Sequence, residues 1–242
     1  MTVDPTGPTR STESPTPRRV AVIGGSVIGL ACAWSLARAG LAGEIVIHEP
    51  DDSGPHGEPT SGAAWVAGGM LAPFSEAWPG EDAVFALGVA SLRLWQEFLD
   101  ALTPYAPAGQ PIRSARHTHM LAVDDADARD LDMAMSWALG NDAVVVGGVT
   151  DADLMRVTRR DLREAEPSLA RVARAAYRMD TEGAVDNRVL LAALARACRS
   201  EGVTWVRDRV GRIDDVDADR VVLAAGTGSA ELAGLPIRPV KG

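Results

Sequence analysis

The stretch Ala21–Trp34, AVIGGSVIGLACAW, decides the fold, because it joins a buried strand to a helix through a glycine turn. Arg19–Ile23, which leads into the turn, is short, β-branched and apolar, as a buried strand is. Apolar residues then recur at helical spacing up to Gly40, a residue type that often ends helices. Because a second apolar strand follows over Glu44–Pro50, the sequence predicts a right-handed βαβ unit.

The turn departs at one position from the dinucleotide-binding motif G-x-G-x-x-G, since its three key positions hold Gly24, Ser26 and Gly29. The N-terminus of the following helix offers free N–H groups and the positive end of a dipole to a pyrophosphate. A carboxylate about twenty residues further on is expected to bind the adenosine ribose, and Glu49 stands twenty residues after Gly29. A purely steric glycine turn is the alternative. The strand, the helix and Glu49 together favour a dinucleotide without a 2′-phosphate, and they leave NAD and FAD both open.

The composition is that of a globular protein that binds small molecules or other proteins. The chain has 242 residues, of which 46% are hydrophobic and 24% charged, and its net charge is −9. Nucleic acids and anionic membranes attract clustered Lys and Arg, whereas the arginines here are scattered among acidic residues. No window approaches the ~20 apolar residues of a membrane span. Residues 1–18 are rich in Pro, Thr and Ser and predict a disordered tail. We therefore expect no nucleic-acid partner, no membrane partner and a cytoplasmic location.

The cysteines and histidines do not form the pattern of a metal or redox site. Cys32 and Cys198 are too few for a disulfide framework and belong to no C-x-x-C pair, so both are interpreted as small buried hydrophobes on helices. His117 and His119 stand two apart without other ligands around them, which favours one face of a strand over a metal site. No metal is expected.

Hydrophobic periodicity and end signals predict further helices and strands beyond the βαβ unit. The predicted helices are Glu81–Leu102, Asp125–Leu139, Thr150–Glu166 and Asn187–Gly202. The predicted strands are His117–Asp125, Asp142–Gly148, Arg171–Met179, Val203–Arg207, Arg209–Asp214 and Arg220–Gly226. Asp186 is expected to cap the helix that begins at Asn187. Pro167 is expected to end the helix before it, because the residue preceding a proline disfavours the helical conformation.

The segment Gly62–Pro73, GAAWVAGGMLAP, and the helix behind it resemble the glycine oxidase branch of the D-amino-acid oxidase family. Members of this family are FAD enzymes in which a G-M-L-A-P segment runs beside the flavin. The resemblance continues through Glu164–Leu169 (EAEPSL), Glu182–Val203 (EGAVDNRVLLAALARACRSEGV) and Asp219–Gly242 (DRVVLAAGTGSAELAGLPIRPVKG). It covers nearly all of the chain from Arg19 onward and implies FAD, not NAD, as the cofactor.

The resemblance implies an α/β fold, with a Rossmann-like FAD-binding domain and an inserted, partial α+β substrate domain. The FAD-binding domain is expected to be discontinuous, over residues 19–100 and 184–242, with the substrate domain over residues 101–183 between its two parts. The predicted tail of residues 1–18 precedes both domains.

The same resemblance implies which residues contact FAD. They are Gly24, Gly25, Ser26, Val27, Ile28 and Gly29 at the pyrophosphate, Glu49 and Pro50 at the ribose, Ala63, Ala64, Gly68, Gly69 and Met70 at the flavin, Val210 at the adenine, and Ala225 with Gly226 at the diphosphate. The glycines suit this role, because a flat ring can lie against backbone N–H groups only where side chains are absent. Helix capping already accounts for Asp186–Arg188, and helix termination for Glu166–Pro167, so neither is expected to be catalytic.

By resemblance, the function is the oxidative deamination of glycine or a similar small amine. Hydride passes from the substrate Cα to the flavin to give an imine, the imine hydrolyses to a 2-oxo acid and ammonia, and O2 is reduced to hydrogen peroxide. In the family, the glycine imine serves thiazole synthesis for thiamine. Two alternatives stay open: a catalytically inactive FAD-binding fragment, and a relative that acts on sarcosine or D-amino acids.

Three departures from the family pattern bear on activity. Ser26 replaces a glycine, Ala64 stands where Ser or Thr is usual, and the chain stops at Gly242, where the family continues for about a hundred residues. The arginine that pairs with the substrate carboxylate is expected in that continuation, so no catalytic residue is assigned and turnover is expected to be lost. A free strand edge at Val240 would favour pairing with another chain, which makes a homo-oligomer one expectation.

Overall fold

The computed structural model describes residues 18–51, 58–141 and 153–238. The strands in these residues are β1 Arg19–Ile23, β2 Glu44–His48, β3 Met70–Leu71, β4 Arg113–Ala115, β5 Thr118–Ala122, β6 Leu154–Arg156, β7 Ala175–Met179, β8 Gly183–Val185, β9 Thr204–Val206 and β10 Arg220–Leu223. The α-helices are α1 Val27–Arg38, α2 Gly62–Val66, α3 Asp82–Leu102, α4 Asp125–Leu139, α5 Arg159–Ala165, α6 Asn187–Ser200 and α7 Ser229–Ala233. Nearly all of the predicted tail, the predicted strand Asp142–Gly148 and the predicted edge at Val240 lie outside the described residues.

The chain divides into two compact units, one of residues 1–51 with 198–242 and one of residues 52–197. These limits differ from the domain boundaries that the sequence predicts at residues 100 and 184. Strand β3, helix α3 and strand β8 all belong to the second unit. The division into an FAD-binding and a substrate domain stays a prediction.

A parallel sheet with the strand order β10-β1-β2-β9 forms the centre of the first unit. Strand β1 pairs with β2 and with β10, and Ile23 is in register with both His48 and Leu223. The unbroken apolar runs Val20–Ile23 and Ile45–Ile47 are buried, as the inner strands of parallel sheets are. The strand, helix and parallel strand that the opening stretch predicts are confirmed.

Helix α1 buries Leu30, Ala33 and Trp34 on one side. The Cys198 thiol donates a hydrogen bond to the Leu30 carbonyl at 3.3 Å, and burial raises the pKa of Cys198 to about 12. The thiol is therefore protonated at neutral pH and unreactive. This environment agrees with the interpretation of Cys198 as a buried hydrophobe.

The second unit contains two three-stranded antiparallel sheets, with the orders β3-β8-β4 and β5-β7-β6. One hydrophobic core includes Phe74, Phe85, Met120, Met135 and Met179. The Phe74 and Phe85 rings meet edge to face at 5.2 Å, a favourable aromatic geometry. Helices α3 and α4 form where the periodicity predicts them.

The predicted helix Thr150–Glu166 is wrong in part, because its described residues form strand β6 and then helix α5. A capping box starts α5. The Asp161 N–H donates to the Thr158 hydroxyl at 3.2 Å, and the Thr158 N–H donates to the Asp161 carboxylate at 3.3 Å. This start signal outweighs the weaker helical periodicity of the residues before it.

Two predicted strands also need correction. Of Arg171–Met179 only β7 is a strand, and it is the central strand of its sheet, not an exposed one, because it pairs with both β5 and β6. Arg209–Asp214 is not a strand, and a 3-10 helix forms over Ile213–Asp215. Gly211 and three charged residues leave this segment too little apolar surface to hold it on a sheet.

Candidate functional site

The carboxyl ends of the four parallel strands meet at one edge of the first unit's sheet. The Gly24 N–H donates to the His48 carbonyl at 2.9 Å, and the Glu49 N–H donates to the Val206 carbonyl at 3.1 Å. On the other side of β1, the Ala224 N–H donates to the Ile23 carbonyl at 2.8 Å. The edge therefore brings together the turn after β1, Glu49 after β2 and the residues after β10. Open α/β sheets bind ligands outside this edge.

Two glycines of the turn are required by its geometry. Gly24 has φ +105°, and a Cβ there would lie 2.4 Å from the Ala224 carbonyl oxygen. A Cβ on Gly29 would lie 1.8 Å from the Gly24 carbonyl oxygen. The turn is thus packed against the end of β10 on one side and against the start of α1 on the other, and it forms a tight backbone cradle.

Glu49 is tied to this cradle by its side chain. One carboxylate oxygen accepts the Gly25 N–H at 2.7 Å and the other accepts the Asp51 N–H at 3.2 Å. The spacing in the sequence predicts a ribose ligand at Glu49, and the structure adds a second role, because the carboxylate also fixes the turn. A carboxylate has about four lone-pair sites, so it can accept further hydrogen bonds beside these two.

Ser26 takes the N-cap position of α1 in an ordinary extended conformation, with φ −85° and ψ −170°. Its side chain makes no cap hydrogen bond, and the first turn of α1 holds no acidic residue. Val27 is half-buried and Ile28 is 63% exposed. The first N–H groups of α1 therefore receive no cap from Ser26 and suit an anionic group such as a diphosphate.

The other predicted contacts of the first unit have different environments. Pro50 is exposed and Ala225 is half-buried. Among the described residues, no atom beyond the chain neighbours of Gly226 lies within 4 Å of the place that a Cβ would take there. Val210 is half-buried in the loop four residues beyond β9. A contact between Val210 and adenine stays a prediction.

In the second unit, the segment Gly62–Ser75, here called the glycine-rich segment, contains the residues predicted at the flavin. Ala63 is exposed and Ala64 is half-buried in the short helix α2. Gly68 has open space around it, and the Met70 side chain is 62% exposed. Gly68 therefore offers bare backbone, as the approach of a flat ring requires. Gly69 differs, because it has φ +73° and its Cβ would lie 2.0 Å from the Val185 carbonyl oxygen.

Two polar residues next to this segment carry structural roles that the sequence does not reveal. Glu182 is fully buried, and its carboxylate accepts the N–H groups of Phe74 and Ser75. Burial raises the pKa of Glu182, and the hydrogen bonds from Ser75 and Phe74 oppose that rise. The Asn187 amide donates to the carbonyls of Ala64 and Trp65. Neither residue belongs to a hydrophobic repeat. The only sequence signal for them is that both lie in the segment Glu182–Val203, which is part of the family resemblance.

Metal-binding and membrane-spanning features are absent from the described ranges. No group of three or more His, Cys, Asp and Glu side chains gathers there in a way that could hold an ion. The His117 and His119 rings contact each other edge to face at 5.1 Å. In ranges 18–51, 58–141 and 153–238, no helix combines the length and the apolar character that crossing a membrane needs.

The Asp186 carboxylate caps α6 as predicted, since it accepts the N–H groups of Arg188 and Val189 at 3.0 and 3.1 Å.

Comparison with known proteins relates this geometry to a family. The profile of the family described as FAD dependent oxidoreductase (DAO) matches residues 19–242. A glycine oxidase of Pseudomonas aeruginosa is 31% identical over 245 residues, with 93% of this chain and 61% of that protein covered. The protein named thiamine biosynthesis oxidoreductase ThiO in Rhizobium etli is 30% identical over 235 residues, with 93% of this chain and 58% of that protein covered.

A solved structure supports the same relationship. The crystal structure of glycine oxidase from Geobacillus kaustophilus matches with a TM-score of 0.71 at 26% identity, covering 90% of this chain and 58% of that one. The chain thus spans 58% to 61% of the length of these relatives. The α/β fold and the resemblance seen in the sequence are confirmed, and the chain belongs to the DAO family of FAD dependent oxidoreductases.

Proposed function

We propose that the chain binds FAD and serves the oxidation of glycine or a similar small amine, with O2 as the electron acceptor. The observation that carries the proposal is the cradle at the carboxyl edge of the parallel sheet, where the glycine turn, Glu49 and the end of β10 meet. Family membership supports FAD as the dinucleotide. The glycine oxidases among the relatives support a small amino acid as the substrate.

The predicted contacts suit different parts of FAD. In this proposal the N-terminus of α1 holds the diphosphate, Glu49 holds the ribose, and the bare backbone around Gly68 faces the flavin. The further contacts proposed are those at Gly24, Gly25, Ser26, Val27, Ile28, Gly29, Pro50, Ala63, Ala64, Gly69, Met70, Val210, Ala225 and Gly226. When bound, FAD supplies the redox chemistry by accepting a hydride from the amine. The chain contributes orientation through the backbone of the turn after β1, which packs against the end of β10 and is hydrogen-bonded to Glu49.

Two further observations support a proposal for the biological setting of the reaction. The name of the Rhizobium etli relative supports a role in thiamine biosynthesis. Cys32 and Cys198 are both free thiols, which supports a reducing compartment such as the cytoplasm.

The proposal is tested by the visible spectrum of the purified chain. After incubation with FAD and removal of the excess, we expect a bound flavin band, and bleaching of that band on anaerobic addition of glycine would show that this chain turns over. A panel with sarcosine and D-alanine identifies a different substrate preference. A bound band that no amine bleaches would indicate FAD binding without turnover by this chain. The absence of any bound flavin would overturn the proposal.

Glu49→Gln is expected to weaken FAD binding by about tenfold to a hundredfold, because a hydrogen bond to a charged group contributes about 1.5 to 3 kcal/mol. Glutamine keeps an oxygen that can accept the Gly25 N–H, so the turn should survive. Glu44→Gln is the matched control at the other end of β2, where Glu44 forms an exposed ion pair with Arg19 at 3.6 Å. Equal losses in the two variants, measured by fluorescence titration of FAD, would argue against a ribose contact.

Ser26→Gly is expected to tighten FAD binding by about tenfold, because removal of the Cβ lets the backbone approach the diphosphate more closely. The fold should tolerate the change, because the Ser26 side chain makes no cap hydrogen bond that could be lost. Titration of both proteins with FAD, together with their melting temperatures, separates the two effects. An unchanged affinity would show that the serine hydroxyl is accommodated or donates to a phosphate oxygen.

A further inference from the structure

We infer that the seven consecutive residues Glu182–Arg188, here called the bracket, position the glycine-rich segment, with Glu182 and Asn187 as the two polar side chains that hold it. The inference rests on the proposed function, because the glycine-rich segment is the proposed flavin face. The bracket lies in the second unit, as the glycine-rich segment does. None of its residues needs to touch the cofactor, so both side chains are positioning residues.

The backbone of the bracket runs antiparallel to the middle of the glycine-rich segment. Strand β8 pairs with β3, with Ala184 opposite Met70 and Gly183 opposite Leu71. The Val185 N–H extends this ladder by donating to the Gly69 carbonyl at 2.8 Å. Every residue from Gly69 to Leu71 therefore has a fixed neighbour in the bracket.

Asn187 holds the N-terminal part of the segment. Its amide nitrogen donates to the Trp65 carbonyl at 2.8 Å and to the Ala64 carbonyl at 2.5 Å. Both carbonyls lie at the end of α2, where a helix has no backbone donors of its own left to offer. The Arg188 guanidinium lies 4.8 Å from the centre of the Trp65 ring and adds a cation–π contact. One amide thus caps α2 and fixes where the backbone leaves it.

Glu182 holds the C-terminal part of the segment. Its carboxylate accepts the N–H groups of Phe74 and Ser75 at 2.5 and 3.0 Å, and the Ser75 hydroxyl at 2.8 Å. A buried carboxylate is costly unless it is hydrogen-bonded, and here the glycine-rich segment provides these donors. Detachment of the segment would remove these donors from the Glu182 carboxylate, so the contact resists opening.

The bracket is itself held from its other side. Strand β8 also pairs with β4, and the Asp186 N–H donates to the Ile112 carbonyl at 2.7 Å. A Cβ on Gly183 would lie 2.3 Å from the Ala115 carbonyl oxygen, which shows how closely β4 approaches. The glycine-rich segment is therefore held near both ends by residues that flank a supported strand, while Gly68 and the Met70 side chain between these ends stay open. Such an arrangement presents bare backbone in one conformation.

The test is Asn187→Asp, a change of equal size that replaces the donor by a carboxylate facing two carbonyl oxygens. Aspartate at the first position of α6 interacts favourably with the helix dipole, which offsets part of the lost stability, so the protein should still fold. We expect faster amide hydrogen exchange over residues 64–71 in the cofactor-free protein, and about tenfold weaker FAD binding with a shifted flavin absorption band. Asn187→Ala, which removes the donor without adding repulsion, should give a smaller change of the same kind.

Asn141→Asp is the matched control, because the Asn141 amide donates to the Asp82 carboxylate at 2.9 Å in the same unit. It should leave the exchange over residues 64–71 and the flavin band unchanged. Unchanged exchange in Asn187→Asp would overturn the bracket, whatever the cofactor does. Faster exchange with unaltered FAD affinity and spectrum would overturn its positioning role. If the wild-type chain binds no FAD, the proposed function fails, and the exchange measurement still decides whether the bracket holds the segment.

Discussion

Gly29→Ala is expected to abolish measurable FAD binding and to destabilise the chain by about 2 kcal/mol or more, at the upper part of the range for overpacked sites. The added Cβ would lie 1.8 Å from the Gly24 carbonyl oxygen, 2.9 Å from the Gly24 carbonyl carbon and 3.3 Å from the Val22 side chain. Two of these atoms are backbone atoms of the turn that cannot rotate away. Alanine is a better helix former than glycine by about 1 kcal/mol, so the steric clash must outweigh this local gain in stability. Thermal unfolding and FAD titration measure the two effects.

Gly211→Ala is the matched control for this variant. Gly211 lies in an exposed loop of the first unit, and its φ needs no glycine. In the part of the chain that the structure describes, no atom beyond its chain neighbours lies within 4 Å of its Cβ position. We expect its melting temperature and FAD affinity to equal those of the wild type. If Gly29→Ala binds FAD as well as Gly211→Ala does, α1 can shift on β1 and the cradle is not the cofactor site that we propose.

The turn also shows what a motif can and cannot reveal. The sequence presents Gly24, Ser26 and Gly29 as two matches and one mismatch to a pattern. In the structure, Gly24 and Gly29 are the positions where a side chain would strike backbone, whereas Ser26 has an ordinary extended conformation. The fold therefore needs glycine at positions 24 and 29, the two motif positions at which this chain has it. Glycine at position 26 would serve only the approach of a ligand.

The βαβ unit could be predicted because its signals are local. Buried parallel strands are continuous apolar runs, and the helix between them has its own period and stop signal. The spacing from Gly29 to Glu49 also followed from this unit, since one helix and one strand separate the two residues. The hydrogen bond from the Gly25 N–H to Glu49 could not be predicted, because it depends on how the turn and the end of β2 meet in space.

The second unit was harder to predict because its strands are short and its contacts are distant in sequence. Strand β8 has three residues, too few for a periodic signal, yet it is central to its sheet. Asp186 was correctly predicted as a helix cap from its own neighbourhood. The role of Asn187 beside it depends on carbonyls more than a hundred residues earlier in the chain, which no local pattern encodes.

Gly69→Ala is expected to have the second large effect, because it combines strain with a steric clash. Gly69 has φ +73°, which side-chain-bearing residues rarely adopt, and a Cβ would lie 2.0 Å from the Val185 carbonyl oxygen. The substitution should separate β3 from β8 and release the glycine-rich segment, at a cost of about 2 to 4 kcal/mol. We expect a lower melting temperature already in the cofactor-free protein, and loss of bound flavin in gel filtration with FAD.

Gly68→Ala, one residue earlier, separates the fold from the ligand. Apart from its chain neighbours, no atom of residues 18–51, 58–141 and 153–238 lies within 4 Å of a Cβ at Gly68, so the cofactor-free protein should melt as the wild type does. If the flavin lies against the bare backbone at this position, the methyl group should still weaken FAD binding by about tenfold, since crowding of this kind costs about 1 to 3 kcal/mol. Normal FAD affinity in Gly68→Ala would place the flavin away from Gly68. A Gly69→Ala protein of normal stability would show that β3 and β8 do not need the close approach between Gly69 and Val185.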